Sequence, residues 1–281
     1  MNIYITGSSG FIGSKLLNQL VKENYNITRI IRSKKNIKKK VKFIYLDIYS
    51  SSYIDNVNYF LNKIRFDKND LLIHLAWKNL NDFSCDSHIN EVFYKDIFFL
   101  KKLIDHGLKR LIISGTCLEY GLRQGKLNET YKAKPIINYA IAKNLVREFL
   151  HNYSLTKDFT YQWLRIFYIK DPDKLKKNLF YQLNNSILKK KLFNMSHGNQ
   201  LRDFINIFEI NKIIIQCIKK PKINGIINCC SGNPVKVKKL VKDVIKAKNS
   251  KIKINPNYYK IPNYEPYNFW GSTNKLKKLF N

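Results

Sequence analysis

The chain has 281 residues, with 51 Lys and Arg against 20 Asp and Glu, a formal net charge of +31, 44% hydrophobic residues and 14% aromatic ones. It is too apolar for disorder and long enough to bury one large core or two unequal ones. No apolar run approaches the roughly 18–20 residues of a membrane span, and a strand-like run follows Met1 almost at once instead of a basic leader, so a soluble, unexported protein is expected.

Cys85, Cys117, Cys217, Cys229 and Cys230 show no C-x-x-C spacing, which predicts neither a disulfide framework nor a zinc site and suits a reducing cytoplasm. The cationic surplus is almost all Lys, alongside heavy use of Asn and Ile, as an A+T-rich coding bias produces. Lys34, Lys35 and Lys38 to Lys40 are therefore read as a solvated face, and no nucleic-acid partner is expected.

Ile3, Tyr4 and Ile5 form a first strand that runs into the turn Thr6-Gly7-Ser8-Ser9-Gly10-Phe11-Ile12-Gly13, after which Leu16, Leu17, Leu20 and Val21 recur at helical spacing. Further strands are predicted at 27–31, 41–46, 71–75, 111–114 and 163–167, with long helices at 89–104 and 139–153. Strands alternating with helices imply a parallel sheet covered on both faces, an α/β doubly wound fold. After 163–167 the pattern loosens: Asp171-Pro172-Asp173 breaks the chain, a polar helix follows, residues 226–230 form one more strand, and 237–245 another helix. The stretch with Pro256, Pro262 and Pro266 reads as loop. Residues 1–166, with a returning segment at about 203–230, are expected to form a dinucleotide-binding domain, and 167–202 with 231–281 a smaller substrate lobe.

Gly7, Gly10 and Gly13 permit a tight turn, close approach of backbone to a pyrophosphate and close helix packing, while the helix N-terminus offers free N–H groups. Unphosphorylated NAD needs an acid about 20 residues further on for the ribose hydroxyls, whereas the phosphorylated form is accommodated by Arg. Arg32, Ser33 and Lys34 stand there, without an acid, so NADP(H) is expected over NAD(H). Tyr139 and Lys143, at i and i+4, lie one helical turn apart on one face, where an ammonium lowers a phenol's pKa. Thr116 follows a strand, at the sheet edge where such folds bind ligands.

These elements resemble the extended short-chain dehydrogenase/reductase family, the NAD-dependent epimerase/dehydratase group. The likeness runs through the glycine turn, Asp47-Ile48, His74-Leu75-Ala76-Trp77, Thr116 to Gly121, the Tyr139-x-x-x-Lys143 helix, Leu164 to Phe167, and Arg202-Asp203-Phe204-Ile205. The resemblance implies that Tyr139 is the general acid-base and that Lys143 binds the nicotinamide ribose and lowers the phenol's pKa. It further implies that Thr116 orients a sugar oxygen. Gly7, Gly10, Phe11, Ile12 and Gly13 would surround the pyrophosphate, Asp47 and Ile48 the adenine, and Leu75, Ala76 and Trp77 the cofactor cleft. Arg202 and Asn178 would hold the phosphates of a nucleotide sugar.

Dehydratases of this group carry Asp-Glu where Cys117 and Leu118 stand, and the epimerase-reductases of the GDP-fucose synthase type place Cys where Leu118 is. The branch implied is an NADPH-dependent 4-ketoreductase of a CDP-, dTDP- or GDP-linked 4-keto-6-deoxyhexose, supplying surface polysaccharides. The alternatives are a C4 epimerase, a 4,6-dehydratase, or a dinucleotide-binding sensor without catalysis. Tyr168 to Pro172 departs from the family's usual turn, and the substrate lobe is compact. A homodimer through the 89–104 and 139–153 helices is expected by analogy.

Overall fold

The computed structural model describes residues 1–33, 41–170 and 178–281. The first half contains β1 (Asn2–Thr6), α1 (Phe11–Lys22), β2 (Asn26–Ile31), β3 (Lys42–Tyr45), α2 (Tyr53–Asn62), β4 (Leu71–His74), α3 (Phe93–Asp105), β5 (Arg110–Thr116), β6 (Gly125–Leu127) and α4 (Asn138–Tyr153). There follow β7 (Thr160–Ile166), β8 (Tyr168–Lys170), α5 (Leu179–Leu188), β9 (Phe193–Asn194), β10 (Leu201–Asn206), α6 (Ile207–Lys219) and β11 (Gly225–Cys229). The chain then forms β12 (Pro234–Lys236), α7 (Val237–Ala247), β13 (Ile254–Asn255), β14 (Phe269–Gly271) and α8 (Asn274–Phe280).

Seven strands form one parallel sheet in the order β11-β7-β5-β4-β1-β2-β3. Successive strand side chains point to opposite faces, so each strand feeds two cores. Ile3, Ile5, Ile73 and Ile112 pack with Leu16, Leu20 and Ile214 on the α1 and α6 side. Tyr4, Leu72, Leu111, Ile113 and Trp163 pack with Phe60, Phe99, Leu100 and Val146 on the side of α2, α3 and α4. Strand order reverses at β1, which pairs with both β2 and β4, and this opens a crevice beyond their carboxyl ends.

The doubly wound sheet expected from the strand–helix alternation is present, with local differences. The 89–104 helix begins as one π turn at His88–Val92 before α3. α6 was not foreseen, although Ile207, Ile210, Ile214 and Ile218 repeat at helical spacing and are all buried. It returns the chain to the main sheet, where β11 pairs with β7. β10 instead joins β8 and β12 in a separate three-stranded sheet. The expected terminal loop contains β14, which pairs with β6, and α8. No helix among the described residues is long and apolar enough to cross a membrane.

Candidate active site

The glycine turn lies at the switch point because β1 and β4 end side by side. Gly7 adopts φ +67°, and a Cβ there would lie 2.6 Å from the Leu75 carbonyl carbon and 2.7 Å from the Ala76 nitrogen. A Cβ on Gly13 would lie 2.2 Å from the Gly7 oxygen, so α1 can seat against the turn only with glycine there. Gly10 caps α1 without a side chain, leaving the first-turn N–H groups open toward an anion. This cradle fits the pyrophosphate of a dinucleotide. Phe11 and Ile12 flank it half-buried, and Arg32 and Ser33 are exposed just beyond β2. Lys34 lies outside the described residues. Past β3, Asp47 Oδ1 accepts from the Tyr49 N–H at 3.0 Å, and Ile48 is buried. Beneath the crevice, Thr6 Oγ1 is 2.8 Å from His74 Nδ1, and Asp96 accepts from the Tyr49 hydroxyl at 2.6 Å.

Thr116 ends β5 and caps the short turn Cys117–Tyr120, its Oγ1 accepting from the Leu118 N–H at 3.3 Å. The same hydroxyl lies close enough to the Tyr139 phenol to draw its pKa down, against the stronger effect of burial. Tyr139 and Lys143 share the buried face of α4. Lys143 Nζ donates to the Ser114 carbonyl at 2.8 Å and sits 3.9 Å from the centre of the Trp77 ring. Threonine, tyrosine and lysine thus converge at the carboxyl end of β5. Phe83 stacks on Tyr139 with ring centroids 4.8 Å apart, and Trp77 meets it edge-on at 5.9 Å.

The electrostatics depart from the expected pairing. Burial pushes the Tyr139 phenol up, Glu119 and Cys117 add to the rise, and nearby Thr116 opposes it. The Lys143 ammonium is engaged by the Ser114 carbonyl and the Trp77 ring, and burial brings its own pKa down to about 8. Tyr139 is consequently held protonated. Cys117 is a buried thiol pushed up by burial, suited to packing and not to proton abstraction.

Glu119, which the motif reading left without a role, organises this corner. Its carboxylate accepts from the Thr116 N–H (2.9 Å), the Trp163 indole (2.9 Å) and Arg165 Nε (2.8 Å), all buried. The signal was present in Thr116-x-x-Glu119, a capping-box spacing.

The two phosphate-binding candidates are otherwise engaged. Asn178 is the N-cap of α5, accepting from the Phe180 N–H at 2.8 Å and donating to the Ile169 carbonyl at 3.2 Å. Arg202 is buried, pairs with Glu265 at 2.8 Å and donates to the Tyr267 carbonyl at 2.9 Å. Its neighbour Asp203, from the same motif, accepts from the backbone N–H groups of Ser231, Gly232 and Gly271 and so ties three segments together.

A seven-stranded parallel sheet, a glycine turn at its switch point and a Thr-Tyr-Lys cluster on the same edge define a Rossmann-type dinucleotide-binding protein. Residues 3–230 match the NAD dependent epimerase/dehydratase family. The chain belongs to that family, a branch of the extended short-chain dehydrogenase/reductases. It is 30% identical over 281 residues to the dTDP-6-deoxy-L-talose 4-dehydrogenase (NAD(+)) of Aggregatibacter actinomycetemcomitans, covering 97% of this chain and all of that one. Among solved structures it resembles a UDP-glucuronic acid 4-epimerase variant from Bacillus cereus in complex with NAD (TM-score 0.84, 21% identity, 99% and 92% of the two chains). It also resembles a UDP-N-acetylglucosamine 4-epimerase from Methanobrevibacter ruminantium (TM-score 0.83, 19% identity, 99% and 91%). Those two likenesses are of fold.

Proposed function

We propose that the protein is a nucleotide-sugar oxidoreductase acting at C4, reducing the ketone of a nucleotide-linked 4-keto-6-deoxyhexose. The observation that carries this is the convergence of Thr116, Tyr139 and Lys143 at the carboxyl end of β5, with burial keeping the phenol in its protonated form. A protonated phenol is a general acid, which ketone reduction requires. The Aggregatibacter relative is named for oxidation at C4 of a dTDP-6-deoxyhexose, the same bond taken in the opposite direction.

When bound, the reduced nicotinamide supplies the hydride. Gly7, Gly10, Phe11, Ile12 and Gly13 would hold its pyrophosphate, Asp47 and Ile48 the adenine, Leu75, Ala76 and Trp77 the cleft wall, and Tyr139 and Lys143 the nicotinamide ribose. Thr116 orients the C4 oxygen, and Tyr139 delivers its proton there as the carbonyl becomes an alkoxide. Arg202 would meet the substrate diphosphate on release from Glu265, a task suited to a forked guanidinium. Asn178 would contribute through the α5 terminus that it caps.

Arg32 and Ser33 beyond β2, with no acid at its end, support NADP(H). NAD(H) is the second reading, favoured by the relative's named cofactor. Exposed Tyr94 beside half-buried Phe93, Ile97 and Phe98 on α3 supports a homodimer, and a cytoplasmic place in polysaccharide synthesis accords with the chemistry.

The test is oxidation of NADPH and NADH with CDP-, dTDP- and GDP-linked 4-keto-6-deoxyhexoses, by the native chain and by Tyr139→Phe. A loss of about a hundredfold or more in the variant is expected; equal rates in both refute an enzyme that uses this phenol.

A further inference from the structure

Three arginines are buried almost completely. Arg165 pairs with Glu119, and Arg202 with Glu265. Arg29, in the middle of β2 and only 3% exposed, faces no carboxylate among the described residues. Burial alone lowers its pKa, and no acid opposes that effect. Its Nε donates to Ser8 Oγ at 3.1 Å, while its terminal nitrogens have no hydrogen-bond partner among the described residues and are not sealed from solvent. Ser8, itself 2% exposed, belongs to the glycine turn, between Gly7 and the cap of α1. A buried cation without a counter-charge is costly, and proteins keep one where an anion completes it. The open N–H groups at the start of the 12-residue α1 favour negative charge at the same place.

We propose that Arg29, braced by Ser8, is a binding residue for a phosphate group in the adenylate half of the dinucleotide, apart from the exposed Arg32. This rests on the dinucleotide reading above. The two sources of such a phosphate, the ribose 2′-phosphate and the pyrophosphate, differ in which ligands should sense the side chain.

The test is calorimetric titration of the whole chain and of Arg29→Met with NADP⁺, NAD⁺, 2′,5′-ADP and ADP, with melting temperatures measured without ligand. Methionine keeps much of the buried volume while removing the charge, so the variant is expected to melt no lower than the native chain and to bind about tenfold or more weakly. Weakening confined to NADP⁺ and 2′,5′-ADP assigns the 2′-phosphate; equal weakening for all four assigns the adenylate 5′-phosphate that they share, which is the adenylate half of the pyrophosphate. Native affinity for every ligand in the variant overturns the proposal while leaving the dinucleotide reading intact. A native chain that binds neither dinucleotide overturns both. Should Arg29→Met fail to fold, Arg29→Lys, which keeps the charge without the fork, decides: weaker binding of phosphate-bearing adenylates supports the assignment, and native affinity overturns it.

Discussion

Lys143 Nζ lies 3.9 Å from the centre of the Trp77 ring while donating to the Ser114 carbonyl. The ammonium therefore rests on an aromatic face and a carbonyl dipole, with no carboxylate among the described residues bonded to it. In a dry site such a cation–π contact is worth about 2 kcal/mol. Trp77→Leu should lower the Lys143 pKa further below about 8 and weaken dinucleotide binding several-fold. Titration of that amine by pH-dependent reductive methylation, with dinucleotide affinity measured alongside, checks both.

The same lysine makes stability depend on pH. Its pKa falls to about 8 from an ordinary 10.5. Between those values the unfolded chain binds the proton and the native chain does not, so native stability rises with pH across that window. Below it, the buried charge costs its full amount. Lys143→Met should remove this rise and be the more stable protein at pH 7, relative to the native chain, while losing activity. Urea unfolding of both at pH 7 and pH 10 gives the comparison.

Glu119 should set where the phenol ionises. With the carboxylate neutralised, Tyr139 loses one cause of its raised pKa, so any alkaline fall in activity set by the phenol should move to lower pH in Glu119→Gln. The exchange also leaves Arg165 buried without its partner, at a cost of about 3–5 kcal/mol. Glu119→Gln combined with Arg165→Met should recover part of that stability and keep the shifted pH profile.

Arg202 and Glu265 offer a test of substrate binding. If the guanidinium meets phosphates, Glu265→Gln frees it and lowers the KM for the nucleotide sugar. Arg202→Met then raises KM by about tenfold or more, with a smaller change in kcat. Lower melting temperatures with unchanged KM in both variants would leave the pair a structural tie.

Asp203 accepts from three backbone N–H groups and from the Ser231 hydroxyl. Hydrogen bonds to a charged group contribute about 1.5–3 kcal/mol each. Asp203→Asn, which keeps the shape, should destabilise the protein by about 3 kcal/mol or more, readable in chemical denaturation.

The sheet was legible because buried parallel strands are written as short apolar runs such as Ile3 to Ile5 and Leu71 to Ile73, and the glycine turn marks the first crossover. α6 carried the same kind of signal in Ile207, Ile210, Ile214 and Ile218, an apolar stripe at helical spacing. The Thr116, Tyr139 and Lys143 positions followed from spacing and strand ends. Their electrostatics did not, since Trp77 and Phe83, which enclose Tyr139, come from a segment far from it in the chain. The Arg202–Glu265 pair, brought together across 63 positions, left no local trace at all.

The pairing of β14 with β6 places residues 269–271 against the loop that leaves Thr116. During synthesis the nucleotide crevice can therefore form early, from the amino-terminal strands, while the threonine's loop waits for almost the whole chain to emerge. A nascent polypeptide would acquire the ability to hold a dinucleotide well before it could use one.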